Sequence, residues 1–379
     1  MQNLKMGVRW AKSKYRRSDQ TGEITHMPMC ALTLVAITAR IFYLIVIDAP
    51  ETENSGWLAV LMGAGLSAPA ILGAYALMKK TNASFETGAI KAIGKSGFRI
   101  FALILSLALT FETASLFTIL TSSGAYATLY NMHKLLLLVP TSLAVIYACS
   151  KGGNGIGGAA EAWIRIYLIL YAVILCLEYD TMKISNLFPI LGPGGGKLFK
   201  SAVSVMMYFC LIPVSFLLET GYSVQGRNER INIKPESILI VFALSVAISV
   251  VMLMLHSAMY PALIPVFDSR SSGMDLMLSN GRSNRTVQLP ILIIWFSSLA
   301  ISAGYMLYSA GRLMNIALSE KGCKCMVLLG LIAMVFALFR LSLADRALWF
   351  ASHFGPVIGG AFFLLPVIYK IKGNGRKKA

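Results

Sequence analysis

Two ionisable residues, Arg40 and Glu112, stand well inside long apolar stretches of this chain. An ionised side chain near the middle of a bilayer costs about 3 kcal/mol or more unless it faces protein or water. A cation and an anion at similar depth on two helices therefore indicate either a structural ion pair or a site for the carboxylate and the amine of a zwitterionic ligand. A third interpretation, in which Arg40 only extends toward the membrane surface, also stays open.

Other ionisable residues of the apolar stretches have simpler interpretations. Glu161 and Arg165 are four residues apart with the acid first, which predicts a local ion pair on one helix. His256 and His353 lie near the ends of their stretches, and we interpret them as polar wall residues rather than ligands.

Nothing in the sequence has the pattern of an enzyme site. The six cysteines are interpreted as small packing residues, because Cys323 and Cys325 have no partner pair at metal-ligand spacing. The glycine clusters at 152–158 and 192–197 lack the spacing of a phosphate cradle and are predicted to be flexible loops. Without a nucleophile, a metal cluster or a nucleotide cradle, we predict no enzyme, no cofactor and no metal.

Composition places the chain among membrane proteins. Of its 379 residues, 56% are hydrophobic and only 13% are charged, and the mean hydropathy is +0.69. These values predict a polytopic membrane protein, because so few polar residues cannot cover a soluble globule. The net charge of +17 is scattered between apolar stretches, which argues against nucleic acid and for contact with anionic lipid headgroups.

Unbroken hydropathy predicts ten transmembrane helices and no strands. The predicted spans are 27–47, 57–78, 98–127, 134–150, 158–178, 198–219, 237–258, 289–317, 325–343 and 348–370. They form a transmembrane domain over 25–370, between basic tails at 1–24 and 371–379. Most of the 34 lysines and arginines fall on the side of the tails, so both termini are predicted to be cytoplasmic.

Three connecting segments stand out. The segment from Ser84 to Gly97 is predicted to be an amphipathic helix on the cytoplasmic surface. Residues 260–289 form a long polar outer loop. The loop at 186–196 leads into the sixth span, where Pro213 removes a backbone donor and predicts a kink or break around residues 208–212. Broken backbone at membrane depth is tolerated where it faces protein or water, so this span is a candidate binding element.

Three short motifs carry a family resemblance. Trp57–Leu61 opens the second span, Asn186–Gly192 precedes the sixth, and Val287–Pro290 leads into the eighth. In order and spacing they resemble the spore-germination permease family, the B subunits of bacterial spore nutrient-germinant receptors. The resemblance implies the amino acid–polyamine–organocation superfamily, with an inverted 5+5 repeat at about 27–178 and 198–370. It also implies a leucine-transporter-like site between broken helices 1 and 6.

The predicted site follows from that resemblance together with the buried charges. The steps that correspond to the helix breaks read Ala39-Arg40-Ile41-Phe42 and Tyr208-Phe209-Cys210-Leu211, without glycine. The predicted substrate-binding residues are Thr38, Ala39, Arg40, Phe42, Glu112, Ser115, Tyr208, Phe209, Cys210, Ser297, Ser298 and Tyr305.

The resulting hypothesis is a germinant receptor subunit of the spore inner membrane that binds a small nutrient, with an amino acid as the expected ligand. The family implies two partners, a larger membrane A subunit and a lipoprotein C subunit. Two alternatives stay open: a proton-coupled amino acid transporter with Glu112 as proton carrier, and a scaffold that binds no ligand.

Overall fold

The computed structural model describes residues 26–47, 52–81, 85–128, 134–177, 182–188, 194–220, 235–259, 285–319, 324–339 and 343–375. Within these ranges the long elements are all helices. They are α1 (His26–Ile47), α2 (Gly56–Thr81), α3 (Phe85–Thr128), α4 (Lys134–Ser150), α5 (Gly153–Leu177), α6a (Gly195–Cys210), α6b (Ile212–Thr220), α7 (Glu236–Met259), α8 (Arg285–Leu318), α9 (Lys324–Phe339) and α10 (Leu343–Gly375).

The helices match the predicted spans closely. In the described part of the chain, seven are long and apolar enough to cross a membrane: α1, α2, α3, α5, the sixth span, α7 and α10. Helices α4 and α9 are apolar but shorter, with 17 and 16 residues, and α8 has 34 residues. Helix α9 is described to Phe339, and residues 340–342 of the predicted span lie outside the described residues.

The contacts between helices are repeated when each of helices 1–5 is replaced by its counterpart among helices 6–10, and the reverse. Helix α2 packs against α6a as α7 packs against α1, and α10 packs against α6a as α5 packs against α1. In the same way, α3 packs against α4, α9 and α10 as α8 packs against α9, α4 and α5. Helices α3 and α8, which exchange with each other, share the most extensive contact. This is the pairing that a 5+5 repeat predicts, while the bounds of the two repeats stay a prediction.

Small residues allow the central helices to approach closely. The Ser106 hydroxyl of α3 donates to the Ala310 carbonyl of α8 at 2.7 Å, and the Ser302 hydroxyl of α8 lies 3.1 Å from the Ala36 carbonyl of α1. Such side chain to backbone contacts require helices that nearly touch, as is usual at membrane helix interfaces with small side chains.

The sixth span is interrupted where Pro213 predicted it. Helix α6a ends at Cys210, Leu211 forms a turn, and α6b begins at Ile212. The Leu211 amide donates to the Tyr208 carbonyl at 3.1 Å, and the Val214 amide donates to the Leu211 carbonyl at 3.0 Å. These bonds reach back three residues instead of four, so the turn tightens at the interruption.

The expected break in the first helix is a wrong prediction. Helix α1 is continuous from His26 to Ile47, including the step from Ala39 to Phe42. Neither glycine nor proline stands at that step, and such residues cause most interruptions of a helix. The Thr38 hydroxyl donates to the Leu34 carbonyl at 2.7 Å, within its own helix.

The connecting segments are only partly as predicted. From Phe85 on, the predicted amphipathic segment is helical and forms the first turns of α3. The helix is kinked at Gly94, whose φ is 84°. Residues 153–158 are the first turns of α5, so the prediction of a flexible loop is wrong there. Residues 285–289 of the predicted long loop are the start of α8, and residues 195–197 of the glycine-rich loop are the start of α6a, so these parts are helical instead. Residues 260–284 and 189–193 lie outside the described residues.

One helix contact gives a direct test of the packing. An added Cβ at Gly157 would lie 2.8 Å from the Pro28 Cβ and 3.3 Å from the Pro28 carbonyl carbon. Gly157→Ala is therefore expected to destabilise the protein by about 1–3 kcal/mol through overpacking between α5 and α1.

Gly155→Ala is the matched control, because nothing lies within 4 Å of a Cβ added there. Its higher helix propensity, by about 1 kcal/mol, predicts an unchanged or raised Tm. Thermal unfolding in detergent measures both variants, and equal Tm values would contradict the close contact between α5 and α1.

Candidate functional site

The centre of the candidate site is a fully buried ion pair. Arg40 Nη2 lies 2.8 Å from Glu112 Oε2, and both side chains have 0% exposure. The same Nη2 also donates to the Ser115 hydroxyl at 3.2 Å. Ser115 follows Glu112 by three residues on α3, so both face the same side of that helix. The pair therefore joins α1 to α3 in the interior of the bundle.

Two tyrosines surround the guanidinium. The Tyr208 hydroxyl donates to Glu112 Oε2 at 3.4 Å, and its ring centroid lies 5.2 Å from Arg40 Cζ. The Tyr43 ring centroid lies 5.7 Å from the same atom. Tyr208 is in the last turn of α6a, just before the interruption, so the sixth span also contacts the pair. Aromatic faces stabilise a cation by roughly 0.5–2 kcal/mol each, most strongly where water is excluded.

The ion pair does not use all of its hydrogen-bonding atoms. Within the described residues, Arg40 Nε and Nη1 and Glu112 Oε1 are buried without a hydrogen-bond partner. A buried polar group without a partner costs about 1–3 kcal/mol, and more if it is charged. Arg40 can therefore donate further hydrogen bonds to a carboxylate, and Glu112 can accept one from an ammonium group. A carboxylate and an ammonium group are the two charged ends of a zwitterion.

The remaining predicted residues of α1 and the sixth span have other contacts. Phe42 packs its ring against His256 of α7 at 5.4 Å, and Ala39 is partly exposed. Phe209 packs edge-on against Phe242 of α7 at 5.4 Å. Cys210 is buried beside Gly359 of α10, where an added Cβ would lie 3.0 Å from the Cys210 sulfur.

The predicted residues of α8 have protein partners. The Ser298 hydroxyl accepts a hydrogen bond from Trp163 Nε1 of α5 at 3.1 Å, and Ser297 is half-buried. The Tyr305 hydroxyl lies 3.2 Å from the Leu211 carbonyl and 2.6 Å from the Ser215 hydroxyl. The structure thus brings together Arg40, Glu112, Ser115 and Tyr208 and does not join the α8 residues to them through these bonds.

The sequence analysis missed three polar residues of the interior: Tyr43, Thr33 and Ser215. Tyr43 could have been found, because it follows Arg40 by three residues on the same helix face. Thr33 and Ser215 could not, because their hydroxyls meet at 2.8 Å across 182 residues of sequence.

Several solved structures resemble this one, including the following three. MhsT in complex with L-phenylalanine matches with a TM-score of 0.67 and 13% identity, over 90% of this chain and 89% of MhsT. A Na+-coupled sialic acid symporter in a substrate-bound outward-open state matches with a TM-score of 0.58 and 16% identity, over 89% of this chain and 77% of the symporter. A variant of the manganese transporter of Eremococcus coleocola matches with a TM-score of 0.55 and 12% identity, over 92% of this chain and 78% of that transporter.

The sequence itself matches no family model and no curated protein. At identities of 12–16%, the structural likeness concerns the fold alone. This chain has the leucine-transporter-like fold. The prediction of an all-helical polytopic membrane protein with this fold is confirmed.

Within this leucine-transporter-like fold, a second pair of the same residue types serves as a comparison. Arg165 Nη2 and Glu161 Oε1 lie 3.3 Å apart on α5, as predicted from their spacing, with exposures of 76% and 41%. The interior pair and the exposed pair therefore differ in burial and in the helices that they join. Among the described residues, no group of three or more His, Cys, Asp or Glu side chains could hold a metal ion.

The two pairs predict different costs of removing their arginine. Arg40→Ala leaves Glu112 buried without its cation and is expected to cost about 3–5 kcal/mol of stability. Arg165→Ala removes an exposed pair and is expected to cost less than about 1 kcal/mol. Thermal unfolding of both variants in the same detergent provides the measurement.

Replacement of both buried charges supplies the complementary test. The double variant R40M/E112L leaves no isolated charge, so it is expected to recover most of the stability that Arg40→Ala loses. An Arg40→Ala variant as stable as Arg165→Ala would contradict the burial of the pair.

Proposed function

We propose that this protein is the membrane subunit of a spore germinant receptor and binds an amino acid zwitterion at the Arg40–Glu112 pair. The observation that supports this most is chemical: a buried cation and a buried anion each retain hydrogen-bonding atoms without a partner in the described structure. Groups of opposite charge at one site match the two charged ends of an amino acid.

In this proposal each end of the ligand has a defined partner. The carboxylate accepts hydrogen bonds from the N–H groups of Arg40, which are charge-assisted and therefore strong. The ammonium donates to Glu112 Oε1, and the rings of Tyr43 and Tyr208 flank the charged groups. The fold-level likeness to a structure of MhsT in complex with L-phenylalanine supports an amino acid as the ligand class by analogy only.

Signalling requires that the ligand favour one conformation over another. The pair contacts α1, α3 and α6a together, so a ligand that takes over part of these contacts changes the relative stability of two arrangements of the three helices. Partner subunits, the larger membrane A subunit and the lipoprotein C subunit, then convert the shift into a germination response. The motifs at Trp57–Leu61, Asn186–Gly192 and Val287–Pro290 support this assignment through their resemblance to the germination permeases.

A second candidate function is a proton-coupled amino acid transporter. Glu112 is a fully buried carboxylate with one oxygen lacking a partner, and such a group in a membrane interior can carry a proton. In this case the ligand crosses the membrane instead of only shifting an equilibrium.

Binding to the purified protein tests the zwitterion site. The probes are L-alanine, L-valine and L-phenylalanine, together with analogues of each that lack the amine or the carboxylate. We expect at least one L-amino acid to bind and both of its analogues to bind at least tenfold more weakly, because each lost charged hydrogen bond costs about 1.5–3 kcal/mol. Isothermal titration calorimetry in lipid nanodiscs is the measurement.

Variants assign the two ends of the ligand. Arg40→Lys keeps the charge and the fold but not the planar donor group, and Glu112→Gln keeps the shape but not the charge, so each is expected to weaken binding at least tenfold. Arg165→Lys and Glu161→Gln are the matched controls on the exposed pair and should bind as the unchanged protein does. Equal affinity in all four variants would remove the pair from the site and favour a scaffold that binds no ligand.

Uptake into proteoliposomes separates the receptor from the transporter. A receptor subunit is expected to bind the amino acid found by calorimetry without accumulating it, with or without a proton gradient. Gradient-driven uptake that Glu112→Gln abolishes would favour the transporter.

A further inference from the structure

Three buried hydroxyl groups form a continuous chain between α1 and α8. The Thr33 hydroxyl of α1 lies 2.8 Å from the Ser215 hydroxyl of α6b, which lies 2.6 Å from the Tyr305 hydroxyl of α8. The Tyr305 hydroxyl also reaches the Leu211 carbonyl at 3.2 Å. The exposure of these side chains is between 0% and 1%, so water does not compete for the bonds.

The chain ends at the backbone interruption of the sixth span. Pro213 has no amide hydrogen, and the turn at Leu211 changes the hydrogen-bond register of the helix. The Leu211 carbonyl is therefore able to accept from both the Val214 amide and the Tyr305 hydroxyl. A side chain of α8 therefore supplies a hydrogen bond to the backbone at the interruption.

One assignment of protons satisfies every link of the chain. Tyr305 donates to the Leu211 carbonyl, Ser215 donates to Tyr305, and Thr33 donates to Ser215. The Met29 carbonyl of α1, also 2.8 Å from the Thr33 hydroxyl, competes for the Thr33 proton. Loss of the Tyr305 hydroxyl removes the links to both Ser215 and the Leu211 carbonyl, and loss of the Ser215 hydroxyl removes the links to both Thr33 and Tyr305. The three side chains therefore act as one unit that holds α6b against α1 and α8.

We infer that Thr33, Ser215 and Tyr305 are positioning residues that lock the hinge of the sixth span. The sequence suggested Tyr305 as a ligand contact, whereas its hydrogen bonds stabilise the hinge. This inference does not depend on the identity of a ligand, because the chain is complete within the protein. Movement of α6b away from α1 or α8 breaks at least one of its links, so the chain sets how often the hinge opens.

A native cysteine reports on hinge opening. Cys210 is the last residue of α6a, next to Leu211, and is fully buried. Cys325 on α9 is also buried and lies away from the hinge in sequence. Cys149 on α4 is buried too, but its sulfur lies 3.5 Å from the carbonyl of Gly304, the residue before Tyr305, so Cys325 is the reference cysteine. Reaction of the full-length protein with N-ethylmaleimide in liposomes, followed by mass spectrometry of each cysteine peptide, measures the opening at all three places in one experiment.

Tyr305→Phe keeps the ring and removes only the hydroxyl. When opening and closing are fast compared with labelling, the rate at a buried group follows the population of the open form. We expect Cys210 to react about five- to thirtyfold faster in Tyr305→Phe, which is the loss of one or two hydrogen bonds at about 1 kcal/mol each, converted at about 1.4 kcal/mol per factor of ten. Cys325 should react at an unchanged rate.

Because the hydrogen bonds of the chain are linked in series, we expect the effects of two substitutions on Cys210 labelling not to add. Ser215→Ala is expected to accelerate Cys210 labelling about fivefold, and the double variant Y305F/S215A no more than the larger single variant. Ser302→Ala is the matched control, because this hydroxyl of α8 also lies near a carbonyl of α1, at 3.1 Å, but outside the chain. It should leave Cys210 labelling within about twofold of the unchanged protein.

Three results would overturn the inference. An equal acceleration at Cys325 and Cys210 would mean general destabilisation instead of a hinge lock. Equal rates for Tyr305→Phe and Ser302→Ala would mean that the chain has no special role, and multiplied effects in the double variant would mean that the hydroxyls act separately. No ligand is present in these measurements, so their failure leaves the zwitterion site untouched.

Discussion

The structure depends on one constraint: the charge of Arg40 has to be compensated inside an apolar bundle. The carboxylate of Glu112 at 2.8 Å provides the compensation, and the rings of Tyr43 and Tyr208 add to it. Because these groups come from α1, α3 and α6a, the charge ties three helices together. A buried pair contributes little net stability compared with apolar residues of similar size, but removal of one partner is costly. Such a pair makes the helix arrangement specific.

A second polar system, the hydroxyl chain from Thr33 to Tyr305, stabilises the interruption of the sixth span. The two systems hold different parts of this span. Tyr208 links the end of α6a to the ion pair, and Ser215 links α6b to α1 and α8. The interruption lies between them. Pro213 determines the position of the interruption. The Tyr305 hydroxyl of α8 stabilises it by a hydrogen bond to the Leu211 carbonyl.

The leucine-transporter-like fold leaves the ligand open, because function depends on the side chains at a site and not on the fold. The similar structures are MhsT in complex with L-phenylalanine, a sialic acid symporter and a manganese transporter. In this chain α1 is continuous and its polar residue at the middle is an arginine. In the proposed function, the Arg40 side chain binds the carboxylate of the ligand, a role that the continuous backbone of α1 cannot take.

The sequence by itself determined the class of protein, the ten helical segments and the interruption at Pro213, because hydropathy and proline chemistry act locally along the chain. It also singled out Arg40 and Glu112, because an ionised residue in an apolar stretch is costly wherever it lies. Tertiary structure decided which groups meet. It showed that α1 is unbroken and that residues 153–158 are helical, and it joined Thr33, Ser215 and Tyr305 into one chain. Contacts between residues far apart in sequence depend on how the helices pack, and no local pattern contains that information.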